Sequence, residues 1–104
     1  MRRFKTRGKI KLSAKEIVGT LEKHELELKK YGVKKIGLFG SYLKGEENRR
    51  SDIDILVQFD KASFDNYIEL KFFLEKLFKR KVDLVIERSL KPALRYVKKE
   101  AIYV

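Results

Sequence analysis

Residues 36–57, Ile-Gly-Leu-Phe-Gly-Ser-Tyr-Leu-Lys-Gly-Glu-Glu-Asn-Arg-Arg-Ser-Asp-Ile-Asp-Ile-Leu-Val, constrain this chain more than any other stretch. An apolar strand over 34–39 runs into Gly40-Ser41, which demands a turn. A polar, partly basic connection follows, with Tyr42 to Gly45 reading as one helical turn and 46–51 as exposed chain. A second apolar strand then starts with two carboxylates one residue apart, over 52–59. Successive strand residues face opposite sides, so Asp52 and Asp54 share one face while Ile53, Ile55 and Val57 share the other. Carboxylates two residues apart on a strand are separated by roughly 6–7 Å and can converge on one cation.

The remaining chain supplies a frame for that stretch. Ser13 followed by Glu16 has the spacing of a capping box, and Ile17, Leu21, His24, Leu28 and Tyr31 recur at helical spacing up to Gly32. One amphipathic helix is therefore expected from about residue 14 to Gly32, with His24 as a packing residue. A second helix is expected over 64–79, with Phe64, Ile68, Phe72, Leu74, Leu77 and Phe78 supplying most of the core-facing bulk and Tyr67 and Leu70 beside them. A third strand follows over 82–86, Val-Asp-Leu-Val-Ile. Ser89 is placed to cap a last helix to about residue 99, with Pro92 in its first turn, and Ala101 to Val104 is expected to pack back. Together these elements predict an α/β (α+β) fold: a small mixed sheet of three to four strands with helices mainly on one face. Residues 13–104 form a single domain preceded by a basic tail over 1–12.

Composition enters where it limits the chemistry. With 104 residues there is room for one core and no second ligand-binding domain. The chain has no cysteine and one histidine, which excludes disulfides, thiolate metal sites and histidine-rich zinc sites. Any metal must be held by oxygen, which favours Mg²⁺, Mn²⁺ or Ca²⁺. No apolar run is long enough to span a bilayer, so no membrane partner is expected and the expected location is the cytoplasm. About half of the net charge of +11 sits on the tail, where Arg2, Arg3, Lys5, Arg7, Lys9 and Lys11 stand without an acid. Such an arm suits a nucleic acid or an acidic partner, although a solvated terminus is its default reading.

Asp83 is the third carboxylate. It interrupts an apolar strand, where burial would cost several kcal/mol unless something positive meets it. Asp52, Asp54 and Asp83 can come together if the intervening helix brings their strands side by side. Three such acids repel one another unless a cation is present, and a divalent pair about 3.5–4 Å apart resolves the repulsion. Gly40 allows close backbone approach to a phosphate, and the Ser41 hydroxyl and nearby N–H groups can donate to its oxygens. Lys44, Arg49 and Arg50 lie in the same connection and can offset phosphate charge.

Gly40-Ser41, ten residues, then Asp52-Ile53-Asp54 resembles the Gly-Ser…Asp-x-Asp pattern of the DNA polymerase β-like nucleotidyltransferases, and the short chain is similar to their minimal nucleotidyltransferase branch. The resemblance runs from the first helix to the Ile102-Tyr103-Val104 tail. It implies Asp52 and Asp54 as ligands of two Mg²⁺ ions (Mn²⁺ as a substitute), Asp83 as ligand of the catalytic ion and proton acceptor, and Gly40 and Ser41 as the triphosphate-binding turn. Minimal members resemble the antitoxin halves of two-gene modules whose partner is a helical HEPN-type toxin. That setting implies transfer of AMP from ATP to a hydroxyl of the partner, a tyrosine in the expected case. Two alternatives accompany it, neutralisation of the partner by binding alone and nucleotide transfer to RNA. Tyr42 departs from the small basic residue often found directly after the Gly-Ser, with consequences either for nucleotide choice or for packing.

Overall fold

The computed structural model describes residues 12–47, 51–61 and 63–104. Residues 1–11 of the basic tail, together with Arg49 and Arg50 of the connection, lie outside these residues. The elements in order are α1 (Ala14–Lys23), α2 (Glu25–Lys30), β1 (Val33–Phe39), α3 (Ser41–Lys44), β2 (Ile53–Phe59), α4 (Phe64–Phe78), β3 (Val82–Ile86), two 3₁₀ turns (Glu87–Ser89 and Pro92–Leu94), α5 (Tyr96–Glu100) and β4 (Ile102–Tyr103). The four strands form one mixed sheet in the order β3-β2-β1-β4. β1 pairs antiparallel with β2 and β4, whereas β2 and β3, joined through α4, run parallel. No described helix is long and apolar enough to cross a membrane.

One face of the sheet carries the core. Ile36, Leu38, Ile53, Ile55, Val57, Val82 and Leu84 alternate inward and meet Ile17, Leu21 and Leu28 from α1 and α2 and Leu70, Leu74 and Phe78 from α4. Strand alternation sends Asp54 and Leu56 to the opposite face. There Leu56 is fully buried, outside the main cluster, as is the largely buried Val97 of α5. The C-terminal segment therefore covers part of the second face, and the carboxylates stand on the side of the sheet away from the main helices.

Three expectations are corrected. The first helix is two, broken at His24 (φ −106°, ψ 22°). Thr20 Oγ1 donates to the Glu16 carbonyl at 2.7 Å, and His24 Nδ1 lies 2.9 Å from the Thr20 carbonyl. Side chains that bond carbonyls four residues back compete with the regular ladder and disturb a helix. The capping box at Ser13 and Glu16 forms as expected, and His24 packs edge-on against Phe73 at 5.9 Å. On α4, Phe64 and Phe72 point outward, 77% and 63% exposed, while Leu70 takes the core position. The helix is apolar on several sides, so its sequence alone does not select the face that the sheet covers. Finally, no continuous helix runs from Ser89. Lys91 is extended (ψ 151°) ahead of Pro92, as the steric demand of a proline on its predecessor requires, and the segment divides into two 3₁₀ turns and α5.

Candidate active site

β1 ends at Phe39, whose register partner on β2 is Asp54, and Asp54 in turn lies opposite Asp83 on β3. Three adjacent strands thus bring the Gly-Ser turn and two carboxylates side by side on one face. Gly40 adopts φ 78°, ψ −152°, a combination that essentially only glycine tolerates. A Cβ there would also overlap the Asp54 carboxylate, with Cγ 2.7 Å away. The glycine is consequently required twice, for its backbone and for the acid packed against it.

Asp54 is the half-buried centre of the arrangement, and its carboxyl is pushed up to about 6. Burial is the largest cause, followed by the Asp83 charge; the Asp52 charge and a hydrogen bond with the Asp83 side chain act in the same direction. The Ser41 backbone N–H donates to Asp54 and opposes the rise. That bond engages an N–H group that the sequence reading offered to a phosphate, and leaves the Ser41 hydroxyl for that purpose. Asp52 precedes β2 and is exposed, so it flanks the Asp54–Asp83 pair as an outer acid. Among the described residues no three acids or histidines are already set as a metal cage. The pair fits Mg²⁺ nonetheless, because that ion is commonly held by one or two carboxylates together with substrate phosphates. A site in which burial and neighbouring acids favour a proton on Asp54 is one that a cation would relieve.

A cleft of about 460 Å³ opens beside the carboxylates. Its lining includes Gly40, Lys44 and Asp83 together with Leu90, Lys91, Leu94, Tyr96, Val97 and Glu100 of the C-terminal segment. Lys44 Nζ lies 3.9 Å from Glu100 Oε1, linking the Gly-Ser turn to α5. A smaller cavity of about 210 Å³, between α1, α2 and β1, shares none of these residues. Tyr42 is buried in the main core, which gives it a packing role.

The sequence did not point to the C-terminal wall, since aliphatic residues in a Pro-containing turn carry no chemical signature. Nor did it point to Glu87, whose carboxylate accepts from Tyr103 Oη at 3.0 Å and Gln58 Nε2 at 3.3 Å and pairs with Lys98 at 3.8 Å. This cluster ties β4 and α5 to the sheet. Gly37 was also missed: its bare Cα lets β4 approach, since a Cβ there would stand 2.9 Å from the Ile102 carbonyl oxygen.

Residues 21–104 match the nucleotidyltransferase domain family. The chain belongs to that family. A relative from Methanocaldococcus jannaschii is 50% identical over 88 residues, 81% of this chain and 86% of that protein. The protein adenylyltransferase MntA of Thermococcus cleftensis is 44% identical over 96 residues, 89% of this chain and 97% of that one. Among solved structures, a toxin–antitoxin crystal structure with AMP-PNP superposes with a TM-score of 0.63 at 31% identity, covering 79% of this chain and 70% of the other. The complex of a tri-AMPylated Shewanella oneidensis HEPN toxin with its MNT antitoxin gives 0.56 at 28% identity, covering 79% and 66%. Family membership and the polymerase β-like fold thus agree with the reading from the Gly-Ser and Asp-x-Asp residues.

Proposed function

We propose that this nucleotidyltransferase moves AMP from ATP to a tyrosine hydroxyl of a HEPN-type toxin and thereby acts as its antitoxin. The observation that carries the reading is the register of Asp54 with Asp83 beside the Gly40-Ser41 turn. Its support from outside the chain is the protein adenylyltransferase name of the Thermococcus relative and the AMPylated toxin bound to an MNT antitoxin. Asp52, Asp54 and Asp83 would hold two Mg²⁺ ions, whose chemistry is to polarise the phosphates and offset charge on the leaving group. The Ser41 hydroxyl, with Lys44 nearby, binds the triphosphate. The tyrosine oxygen forms a bond to the α-phosphorus, the bridging bond to the β-phosphate breaks, and pyrophosphate leaves. The tyrosine proton passes to the Asp83 carboxylate. Asp54 holds the reacting groups in place, and Gly40 keeps room for it.

The test is direct. Incubation with α-labelled ATP, Mg²⁺ and a HEPN-type toxin should label the toxin on tyrosine, and Asp54→Ala or Asp83→Ala should abolish the label. Label transfer that survives both substitutions would refute the assignment.

A further inference from the structure

Helix α4 turns an apolar ridge away from the sheet. Phe64, Ile68 and Phe72 recur at i, i+4 and i+8, while Leu70, Leu74 and Phe78 take the core side. Phe64 and Phe72 are 77% and 63% exposed, with Ile68 half-buried between them. Side chains four residues apart form a ridge of the kind that interdigitates with the same ridge on another helix. Two large exposed rings in one row mark a surface that gains by being covered. α4 packs on the core face of the sheet, opposite the face that carries the carboxylates, so a molecule seated on the ridge does not close the cleft.

The charges beside the ridge indicate what covers it. Asp65 lies in the first turn of α4 and Lys76 in the last, with Lys71 between the middle and the C-terminal end. None of the three forms an ion pair among the described residues. A twofold axis beside Ile68 sets a second copy of α4 antiparallel to the first. Phe64 of each copy then meets Phe72 of the other, and Asp65 comes within reach of Lys71 and Lys76 of the other. Opposite ends of the two helix dipoles also lie together. A parallel arrangement would put acid beside acid and base beside base. Glu69, exposed near the axis, faces its own counterpart across the contact and limits its strength.

We propose that the Phe64–Ile68–Phe72 ridge of α4 is the contact of a weak twofold dimer, covered by the same ridge of a second copy of this chain. An aromatic side chain offers roughly 150–250 Å², so at their exposures the two phenylalanines supply about 200–350 Å² per copy. A standard interface takes about 800 Å² from each partner, which puts this pairing among the weak, concentration-dependent ones. In such a dimer both clefts face outward. The inference is independent of the adenylyl-transfer reading.

Sedimentation equilibrium of the full chain tests it, at about 0.15 M salt so that the net charge of +11 is screened beyond about 8 Å. The mass should rise with concentration from 12.3 kDa toward twice that value and stop there. Phe72→Glu places a charge on the ridge at an exposed position; it should melt like wild type and self-associate at least about tenfold more weakly. Asp65→Lys should also weaken the pairing. The combined exchange Asp65→Lys, Lys71→Glu, Lys76→Glu in one chain should restore it, because the twofold axis exchanges both partners of each pair. A mass of 12.3 kDa at every concentration overturns the proposal, and growth beyond the dimer does so too, since unspecific apolar contact does not close. Association that Phe72→Glu leaves intact places the contact elsewhere and overturns it. Failure of the exchanged variant to regain what Asp65→Lys loses, with the variant still melting cooperatively, refutes the antiparallel pairing on which the choice of a second copy rests.

Discussion

Replacing Gly40 by alanine perturbs the site at the point where backbone and chemistry meet. Gly40 sits at φ 78°, ψ −152°, a region where a non-glycine residue costs about 1–3 kcal/mol. In addition the new Cβ would overlap the Asp54 carboxylate, with Cγ at 2.7 Å, so the carboxylate must leave its place between the Gly-Ser turn and Asp83. Gly45 is the internal control. It is also left-handed, at φ 73°, but nothing lies within 4 Å of a Cβ built there. Gly45→Ala thus meets backbone strain alone, about 1–2 kcal/mol, and should keep transfer activity once folded. Gly40→Ala should lower the melting temperature further and also abolish transfer. With each kcal/mol worth about 4–8 °C in a domain of this size, scanning calorimetry and label transfer on the two variants separate strain from displacement of the acid. Near-native transfer by Gly40→Ala, or equal loss of transfer in both variants, would refute the role given to the Gly40–Asp54 contact.

Asp54 gives a pH prediction. Its carboxyl is raised from 3.8 to about 6 in the fold, so the folded state binds a proton that the unfolded chain releases, and metal-free stability falls as pH rises from about 4 through about 6. Because the group is only half buried, solvent screening reduces the effect to about 1 kcal/mol; chemical denaturation of wild type and Asp54→Asn across this range should show the slope in wild type alone, and saturating Mg²⁺ should remove it. On α4, Leu74→Ala should cost about 2–5 kcal/mol, whereas Phe72→Ser should stay within about 0.5 kcal/mol, a contrast that urea unfolding reads. Glu87→Ala leaves the Tyr103 hydroxyl without its acceptor and should cost about 1–3 kcal/mol. Glu87→Gln should bring the Tyr103 phenol, pushed up to about 12 by burial and by Glu87, back toward 10, read by ultraviolet titration against Tyr103→Phe.

Where the sequence spoke clearly, it did so through residues whose physics is local. Alternation of carboxylate and aliphatic residues over 52–57 identified a strand and its faces, and Ser13 and Glu16 identified a helix start; Asp83, expected to need a counter-charge inside an apolar strand, is instead exposed on the second face of the sheet. What stayed hidden depends on contacts between distant segments. The break at His24 arises from side-chain bonds to Thr20 and Glu16 carbonyls whose strength no periodicity reveals. The exposure of Phe64 and Phe72 follows from which side of an all-round apolar helix the sheet occupies. The C-terminal wall of the cleft is made of ordinary aliphatic residues that matter through their place beside Asp83.

The register Asp54↔Asp83 ties folding fidelity to chemistry. A slip of one residue between β2 and β3 would turn Asp83 into the apolar layer under Leu70 and Leu74 and turn Val82 and Leu84 outward, because strand side chains alternate. Such a slipped chain would lose most of its core along with its paired acids. A one-residue slip therefore cannot give a stable but inactive form, because the loss of the paired acids comes with the loss of the core.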